Sequence, residues 1–357
     1  MVNNSSGSTV AMTTTSGPST LDNATNEAIQ ITTAVILAII MFGLGCSVVL
    51  KSAINYMKKP KQFAAALFLQ LVIMPFLGLG LSRAVQMTSA QTVGVLIMAT
   101  CPGGAYSNIV AYWLDGDMDL SIVMTTASTL LALGTMPLWL FVFPLILQID
   151  ENLRVPFDQL GYALLGIVVP VLIGSVVKYQ FPKKSEYITK ICSVVGSIAI
   201  LVMVVVFAIV KKVDYVISWQ QILVVLLLPS LALVLGYVAT RLPWLNFSIK
   251  ARRTVAIETA MQSSAVGTSI VVRSFDISSP DFDSIFLFPV MYAAVQLFVS
   301  FFVVVCYLIC KRRGCQWVRT GDDAADGADG ADSAEFNGVA NVAYEKDEDR
   351  TSLRKIT

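Results

Sequence analysis

Glu258 is an acidic residue inside a long apolar stretch. Of the 24 acidic residues of the chain, it is the only one well inside such a stretch. Small and polar residues surround it in the run TVAIETAMQSSAVGTSIVV, residues 254–272. Gln262 follows four residues later, so on a helix it shares a face with Glu258. The pattern favours a polar site in the middle of the stretch. The alternative interpretation is a carboxylate that reaches back to Arg252 or Arg253.

A second group of oxygen-bearing side chains lies in the run ATCPGGAYSNIVAYW, residues 99–113. The Pro-Gly-Gly sequence at 102–104 predicts a break in the helix, because proline removes a hydrogen-bond donor and glycine lowers helix stability. Ser107 and Asn108 follow the break directly. At membrane depth, a broken helix is tolerated only where it is buried or lines a cavity. This run is therefore a second candidate for a functional site.

Further polar side chains lie in other apolar stretches. They are Gln70, Ser121, Thr125, Thr126, Thr129 and Gln296. A single hydroxyl often bonds only its own helix, so each alone is weak support for a site. Gln296 is interpreted as an interhelical hydrogen bond.

The chemistry of these groups favours a hard monovalent cation. Neutral oxygens from Ser107, Asn108, Thr125, Gln70 and Gln262 accompany one carboxylate. A calcium site usually recruits more acidic residues. The chain contains no histidine, which removes the imidazole that many transition metals and general bases require. Sodium is therefore the predicted ion. Without a nucleophile–base pair, the sequence does not indicate an enzyme.

The elements that must position these residues are membrane-spanning helices. Hydrophobic residues make up 55% of the chain and charged residues 14%, with a mean hydropathy of +0.71. A helix needs about 20 mostly apolar residues to cross a bilayer. Nine blocks meet this requirement, at roughly 29–50, 62–82, 92–113, 120–148, 160–179, 191–210, 221–240, 254–274 and 285–310. The composition predicts an all-α polytopic membrane protein in the lipid bilayer.

The loop charges predict the orientation. With the N-terminus outside, sixteen Lys and Arg residues up to position 319 fall inside and five fall outside. Residues 1–28, with sequons at Asn3, Asn4 and Asn23, then form an extracellular segment, and the sequon at Asn246 lies inside. Residues 29–313 form the transmembrane domain. The acidic stretch 314–357 is expected to be a disordered cytoplasmic tail.

The two interrupted blocks, the third and the eighth, are five blocks apart. An odd offset means that they cross the membrane in opposite directions. This spacing fits two inverted repeats, in which the first half lacks its first member and the arrangement is four plus five. Interrupted helices at matching places in inverted halves indicate a transporter site near the midplane.

Three motifs resemble the animal bile acid:sodium symporters over about residues 29–313. They are CPGGAYSN, DGDMDLSIVMTTASTLLALGTMPL and RRTVAIETAMQ. The resemblance implies a panel domain and a core domain, with two broken helices that cross in the core and two sodium sites behind the crossing. By motif, the first site would use Ser107, Asn108, Ser121, Thr125 and Glu258. The second would use the side chains of Gln70 and Gln262, with backbone carbonyls near Glu258, Thr259 and Met261.

The family implies a plasma-membrane symporter that imports bile acids or related amphipathic organic anions with two Na⁺ ions. This sequence departs from the family at Ala260 and Ser263, where members commonly carry Gly and Asn, and in the QSSAV run that follows. The substrate therefore stays open between bile acids, sulfated steroids and another anion. A non-transporting receptor with seven helices is the remaining alternative, and nine blocks argue against it. No nucleic-acid partner is expected, and a homodimer is left open.

Overall fold

The computed structural model describes residues 20–47, 60–185, 217–277 and 279–313, with residues 56, 58, 187–189, 191–192 and 195. The helices with defined bounds are α1 (Thr20–Gly45), α2 (Pro60–Phe68), α3 (Met74–Ala84), α4 (Ser89–Thr100), α5 (Ala105–Trp113), α6 (Met118–Leu147), α7 (Phe157–Gln180), α8 (Trp219–Ala239), α9 (Ile249–Ala260), α10 (Ser264–Ser274) and α11 (Phe282–Arg312). A π-helical turn, Leu69–Ile73, joins α2 to α3, and 3₁₀ turns lie at Glu151–Leu153 and Pro243–Leu245.

These helices cover eight of the predicted blocks. The sixth block, 191–210, lies almost wholly outside the described residues, as do most of the N-terminal segment and the tail 314–357. Five helical runs are long and apolar enough to cross a membrane: Pro60–Ala84, Met118–Leu147, Glu151–Gln180, Trp219–Ala239 and Phe282–Arg312. The prediction of a polytopic helical membrane protein is confirmed. The count of nine spans and the inverted repeat remain predictions.

The outer surface of the helices is apolar, as a lipid environment requires. Phe298, Phe301 and Phe302 are largely exposed on α11, and Leu172 and Ile173 are exposed on α7. Exposed apolar surface of this extent is rare in soluble monomeric proteins. These side chains therefore face the hydrocarbon core of the bilayer.

The two predicted breaks separate α4 from α5 and α9 from α10, and they lie side by side. The Gly104 N–H donates to the Met261 carbonyl at 3.2 Å, and the Ser263 N–H donates to the Pro102 carbonyl at 2.9 Å. A break leaves backbone groups without helical partners, and such groups are costly to bury unpaired. Each break therefore supplies hydrogen-bond partners for backbone groups of the other, and this pairing fixes the first residues of α5 and α10 beside the breaks.

Two sets of helix contacts surround the paired breaks. Helix α4 is enclosed on all sides, with every residue from Ala90 to Thr100 buried. Helices α1 and α7 approach closely at glycines: a Cβ on Gly45 would lie 2.2 Å from the Val171 carbonyl oxygen. Small residues allow membrane helices to pack at such distances. Helix α10 contacts both α1 and α7, so this pair borders the second break.

Candidate functional site

The site is built around the Glu258 carboxylate, which is fully buried near the end of α9. Its Oε1 atom accepts a hydrogen bond from the Ser107 hydroxyl at 2.7 Å and a second, short one from the Ser121 hydroxyl. Its Oε2 atom accepts from the Thr125 hydroxyl at 2.9 Å. The Asn108 Oδ1 atom lies 2.7 Å from the Ser121 hydroxyl. The structure thus brings together all five residues of the first predicted site, from α5, α6 and α9.

Glu258 does not reach back towards the arginines. The Arg252 guanidinium donates to the Phe247 carbonyl at 3.0 Å. Arg253 is buried and donates to the Leu114 carbonyl at 3.1 Å and to the Tyr307 hydroxyl at 2.9 Å. The alternative interpretation of Glu258 is therefore wrong, because both arginines are bonded elsewhere and the carboxylate is surrounded by hydroxyls.

Gln70 and Gln262 form a second polar group next to Gly103 of the first break. Both side chains are buried, and Gly103 pairs with Gln262 in an antiparallel bridge. A Cβ placed on Gly103 would lie 2.8 Å from Gln70 Nε2 and 3.0 Å from Glu258 Oε2. The ends of the Gln70 and Glu258 side chains thus lie within a few ångströms of each other, both next to the space where a Gly103 side chain would be.

Several polar atoms of this second group have no hydrogen-bond partner among the described residues. They are both terminal atoms of Gln70 and the Oε1 atom of Gln262. Buried polar atoms without partners are uncommon in native structures and indicate a missing ligand or water. Two unpaired carboxamide oxygens beside a carboxylate are suitable ligands for a hard cation.

The carbonyls named for the second site lie at the second break. The Met261 carbonyl accepts the Gly104 N–H, and the Thr259 carbonyl accepts from Gln262 Nε2 at 3.2 Å. Each carbonyl oxygen has a second lone pair available for a cation. The preceding carbonyl, of Ala260, accepts from the Tyr292 hydroxyl at 2.7 Å.

The sequence did not reveal two features of the site. Gln70 lies in the π-helical turn, where the Trp139 indole N–H donates to the Leu71 carbonyl at 2.8 Å. Such turns are frequent at functional sites, but the run LFLQLVIMP does not distinguish one from an ordinary helix. The second feature is Ser128, whose hydroxyl accepts from the Gly103 N–H at 3.2 Å. Its position three residues after Thr125, on the same helix face, is a signal that could have found it.

For Thr126 and Thr129, the structure favours the interpretation of hydroxyls that bond their own helix. The Thr126 and Thr129 hydroxyls donate to carbonyls of their own helix at 2.8 and 2.7 Å. Gln296 donates to the Ser264 hydroxyl at 3.3 Å, which confirms an interhelical hydrogen bond.

A cluster of charged side chains surrounds Lys311, which lies in the last turn of α11. Asp115, in the loop between α5 and α6, forms an ion pair with Lys311 and accepts from the Tyr307 hydroxyl at 2.8 Å. Burial raises the pKa of Asp115, but the hydrogen bonds from Lys311 and Tyr307 outweigh it, so the pKa lies below its usual value. Arg253 bonds the same tyrosine, and the cluster therefore ties α9 and α11 to this loop.

A helical membrane protein with a buried carboxylate at two paired helix breaks has the features of an ion-coupled transporter. The comparisons with known proteins identify the family. A model of the Sodium Bile acid symporter family matches residues 34–219. The chain belongs to this family, as the three motifs predicted.

Curated relatives extend the match over most of the chain. The human (Homo sapiens) ileal sodium/bile acid cotransporter is 37% identical over 293 residues, which cover 80% of this chain and 82% of the relative. The rabbit (Oryctolagus cuniculus) protein of that name is 38% identical, over 77% and 79% of the two chains. The human sodium-dependent organic anion transporter is 34% identical, over 79% and 74%. The relatives are transporters, so the chain is a membrane transporter and not an enzyme.

Proposed function

We propose that this chain is a sodium-coupled symporter that imports bile acids or related amphipathic organic anions by alternating access. The observation that carries the proposal is the arrangement of Ser107, Ser121 and Thr125 around the buried carboxylate of Glu258. A lone buried carboxylate is costly without a counter-ion, and neutral hydroxyls do not remove its charge. A sodium ion supplies the missing positive charge, and the relatives are named for sodium-dependent transport of such anions.

The proposed ion count is two. The first ion is held by Ser107, Asn108, Ser121, Thr125 and Glu258. The second is held by the Gln70 and Gln262 carboxamides with the carbonyls near Glu258, Thr259 and Met261, a position supported by the unpaired carboxamide atoms. With two Na⁺ ions and one monovalent anion, each cycle moves one net positive charge inwards. A membrane potential of 100 mV then contributes about 2.3 kcal/mol to accumulation.

The proposed order of events follows from how the breaks are built. The first ion contacts α5 and Glu258, and the second contacts Gln70 and the second break, so their binding together draws α5 and α10 into one fixed arrangement beside the anion. Both of these half-helices begin at a break, where the positive end of the helix dipole favours an anionic group. The anion and the ions are released on the cytoplasmic side when the helices of the site move against α1 and α7. The protein lies in the plasma membrane with its N-terminus outside.

The test removes the charge of Glu258 and keeps the shape of its side chain. Glu258→Gln keeps the shape and one acceptor oxygen but removes the negative charge, so sodium-dependent uptake of labelled taurocholate should fall to background at unchanged surface expression. Glu151→Gln makes the same chemical change at an exposed position that pairs weakly with Arg154 at 3.8 Å. This control should transport normally. Uptake that persists when choline replaces Na⁺ would refute the sodium coupling.

Sulfated steroids are the second candidate substrate. Ala260 and Ser263, where the sequence departs from the family, flank the second break directly and lie beside the N-terminus of α10. Uptake of labelled taurocholate and of a labelled steroid sulfate, each with Na⁺ and with choline, distinguishes the two candidates. Sodium-dependent uptake of the steroid sulfate alone would assign the chain to the second class.

A further inference from the structure

Ser128 is a fully buried serine on α6 with two hydrogen bonds of different kinds. Its hydroxyl donates to the Thr125 carbonyl at 3.0 Å, as a serine in a helix commonly does. It also accepts from the backbone N–H of Gly103 at 3.2 Å. Gly103 lies in the first break and has no helical acceptor for this N–H, so the serine takes the place that a helix carbonyl would otherwise fill.

Gly103 lies next to residues of both proposed sodium sites. Its ideal Cβ position is 3.0 Å from Glu258 Oε2, of the first site, and 2.8 Å from Gln70 Nε2, of the second. Its backbone also forms the bridge to Gln262. A shift of the Gly103 backbone therefore changes the space available to ligands of both ions at once.

Ser128 also acts on the first site from its own helix. Thr125 donates through its hydroxyl to Glu258 and accepts through its carbonyl from Ser128. A continuous chain of contacts thus runs from the carboxylate through Thr125, Ser128 and Gly103 to Gln262. The two proposed ions lie at the two ends of this chain.

We infer that Ser128 is a positioning residue that couples the two sodium sites, an inference that rests on the proposed function. It bonds the Gly103 N–H of the first break and the Thr125 carbonyl of its own helix. In this way it sets the distance between the ligands of the first ion and those of the second. Occupation of one site then fixes Gly103 in the position that the second site requires. Loss of the serine hydroxyl weakens sodium binding and its cooperativity without removing any ligand of either ion.

Thr129 provides a matched control. Its hydroxyl is also buried and donates to the same Thr125 carbonyl, at 2.7 Å, but within the described part of the chain it has no bond to the first break. Thr129→Val therefore removes a comparable hydroxyl from the neighbouring position. A general effect of lost helix hydroxyls would appear in both Ser128→Ala and Thr129→Val, whereas the coupling role belongs to Ser128 alone.

The experiment measures the melting temperature of the purified full-length protein against Na⁺ concentration, with choline keeping the ionic strength constant. A ligand that binds the native state raises this temperature, so the half-saturating Na⁺ concentration and the slope can be read without knowing the organic anion. Ser128→Ala should raise that concentration at least roughly fivefold, which corresponds to about 1 kcal/mol, and should lower the slope. Ser128→Cys, a near-isosteric change to a weaker acceptor, should give an intermediate shift. Thr129→Val should stay within about twofold of the wild type.

Each other outcome contradicts a defined part of the reasoning. Ser128→Ala could lower the melting temperature equally in Na⁺ and choline with an unchanged half-saturating concentration, and the residue would then be only structural. Equal shifts in Ser128→Ala and Thr129→Val, or failure of both Ser128 variants to fold, also overturn the inference. A wild-type protein that melts identically in Na⁺ and choline contradicts the proposed function itself.

Discussion

Gly103 has no room for a side chain, and this makes Gly103→Ala a direct test of the site. The new methyl group would lie 2.8 Å from Gln70 Nε2 and 3.0 Å from Glu258 Oε2. Both atoms are ends of side chains, so they can move aside while the backbone stays in place. They also belong to two side chains that the proposed sites use as ligands. The substitution should therefore affect ion binding more than folding.

The size of the effect follows from the cost of overpacking. Inserting a methyl group into a packed interior typically costs about 1–3 kcal/mol. Because the obstructing atoms are mobile, the lower end applies, and about 1 kcal/mol corresponds to a roughly fivefold rise in the half-saturating Na⁺ concentration. If neither side chain can move, about 3 kcal/mol corresponds to a rise of more than roughly a hundredfold.

Two other glycines serve as comparisons for this measurement. A Cβ on Gly104 would lie 3.3 Å from the Gln262 carbonyl oxygen and the Ser263 Cα, which are backbone atoms of the second break, so Gly104→Ala should disturb the pairing of the breaks and lower the melting temperature in both cations. A Cβ on Gly134 of α6 meets no atom of the described residues within 4 Å, and Gly134→Ala should leave sodium dependence unchanged and raise helix stability slightly. The assay is uptake of labelled taurocholate against Na⁺ concentration, with melting temperatures measured in Na⁺ and in choline.

One result would refute the reasoning. If Gly103→Ala transports with the wild-type sodium dependence, the space beside Gly103 is not used by an ion. A melting temperature that falls equally in both cations, with unchanged half-saturating Na⁺, would lead to the same conclusion.

Three further predictions concern other parts of the chain. Thr125→Val removes the hydroxyl that donates to Glu258 and should raise the half-saturating Na⁺ concentration roughly tenfold, about 1.4 kcal/mol; unchanged sodium dependence would exclude Thr125 from the site. Tyr307→Phe removes a donor to Asp115, whose pKa is lowered in the folded protein, so its contribution to stability is present at neutral pH and lost as the pH falls through the lowered value. In this variant the loss should be smaller and complete at a higher pH, as measured by melting temperature against pH, and an unchanged profile would contradict the assignment. Asn246 should carry no glycan by mass spectrometry of the purified protein, and a glycan there would reverse the proposed orientation.

The first helix break and the importance of Glu258 could be predicted from local sequence. Pro102 and the glycines after it interrupt a helix wherever they occur, because the reason lies in the backbone itself. Glu258 is conspicuous because ionisable residues are rare in apolar spans. Its five-residue group nevertheless came from the family motifs, since Ser107 and Glu258 are 151 positions apart and no local rule joins them.

The role of Ser128 could not be predicted in the same way. Thr125, Ser128 and Thr129 are similar hydroxyl residues within one stretch of α6. Only the position of the first break decides that Ser128 meets a backbone N–H while Thr129 bonds its own helix. Gln70 presents the same difficulty, because nothing in its neighbours predicts a π-helical turn.

The sequence by itself determined the membrane environment, the helical elements and the place of the first break. These properties depend on the length of apolar stretches and on the chemistry of Pro102 and the two glycines after it, which act locally. The second break, at residues 261–263, contains neither proline nor glycine, so its exact place is known only from the tertiary structure. The tertiary structure decided that the two breaks pair, through the bonds of Gly104 with Met261 and of Ser263 with Pro102. That pairing is set by packing between distant segments. It also places a carboxylate, hydroxyls and unpaired carboxamides around one point, where an ion can be held.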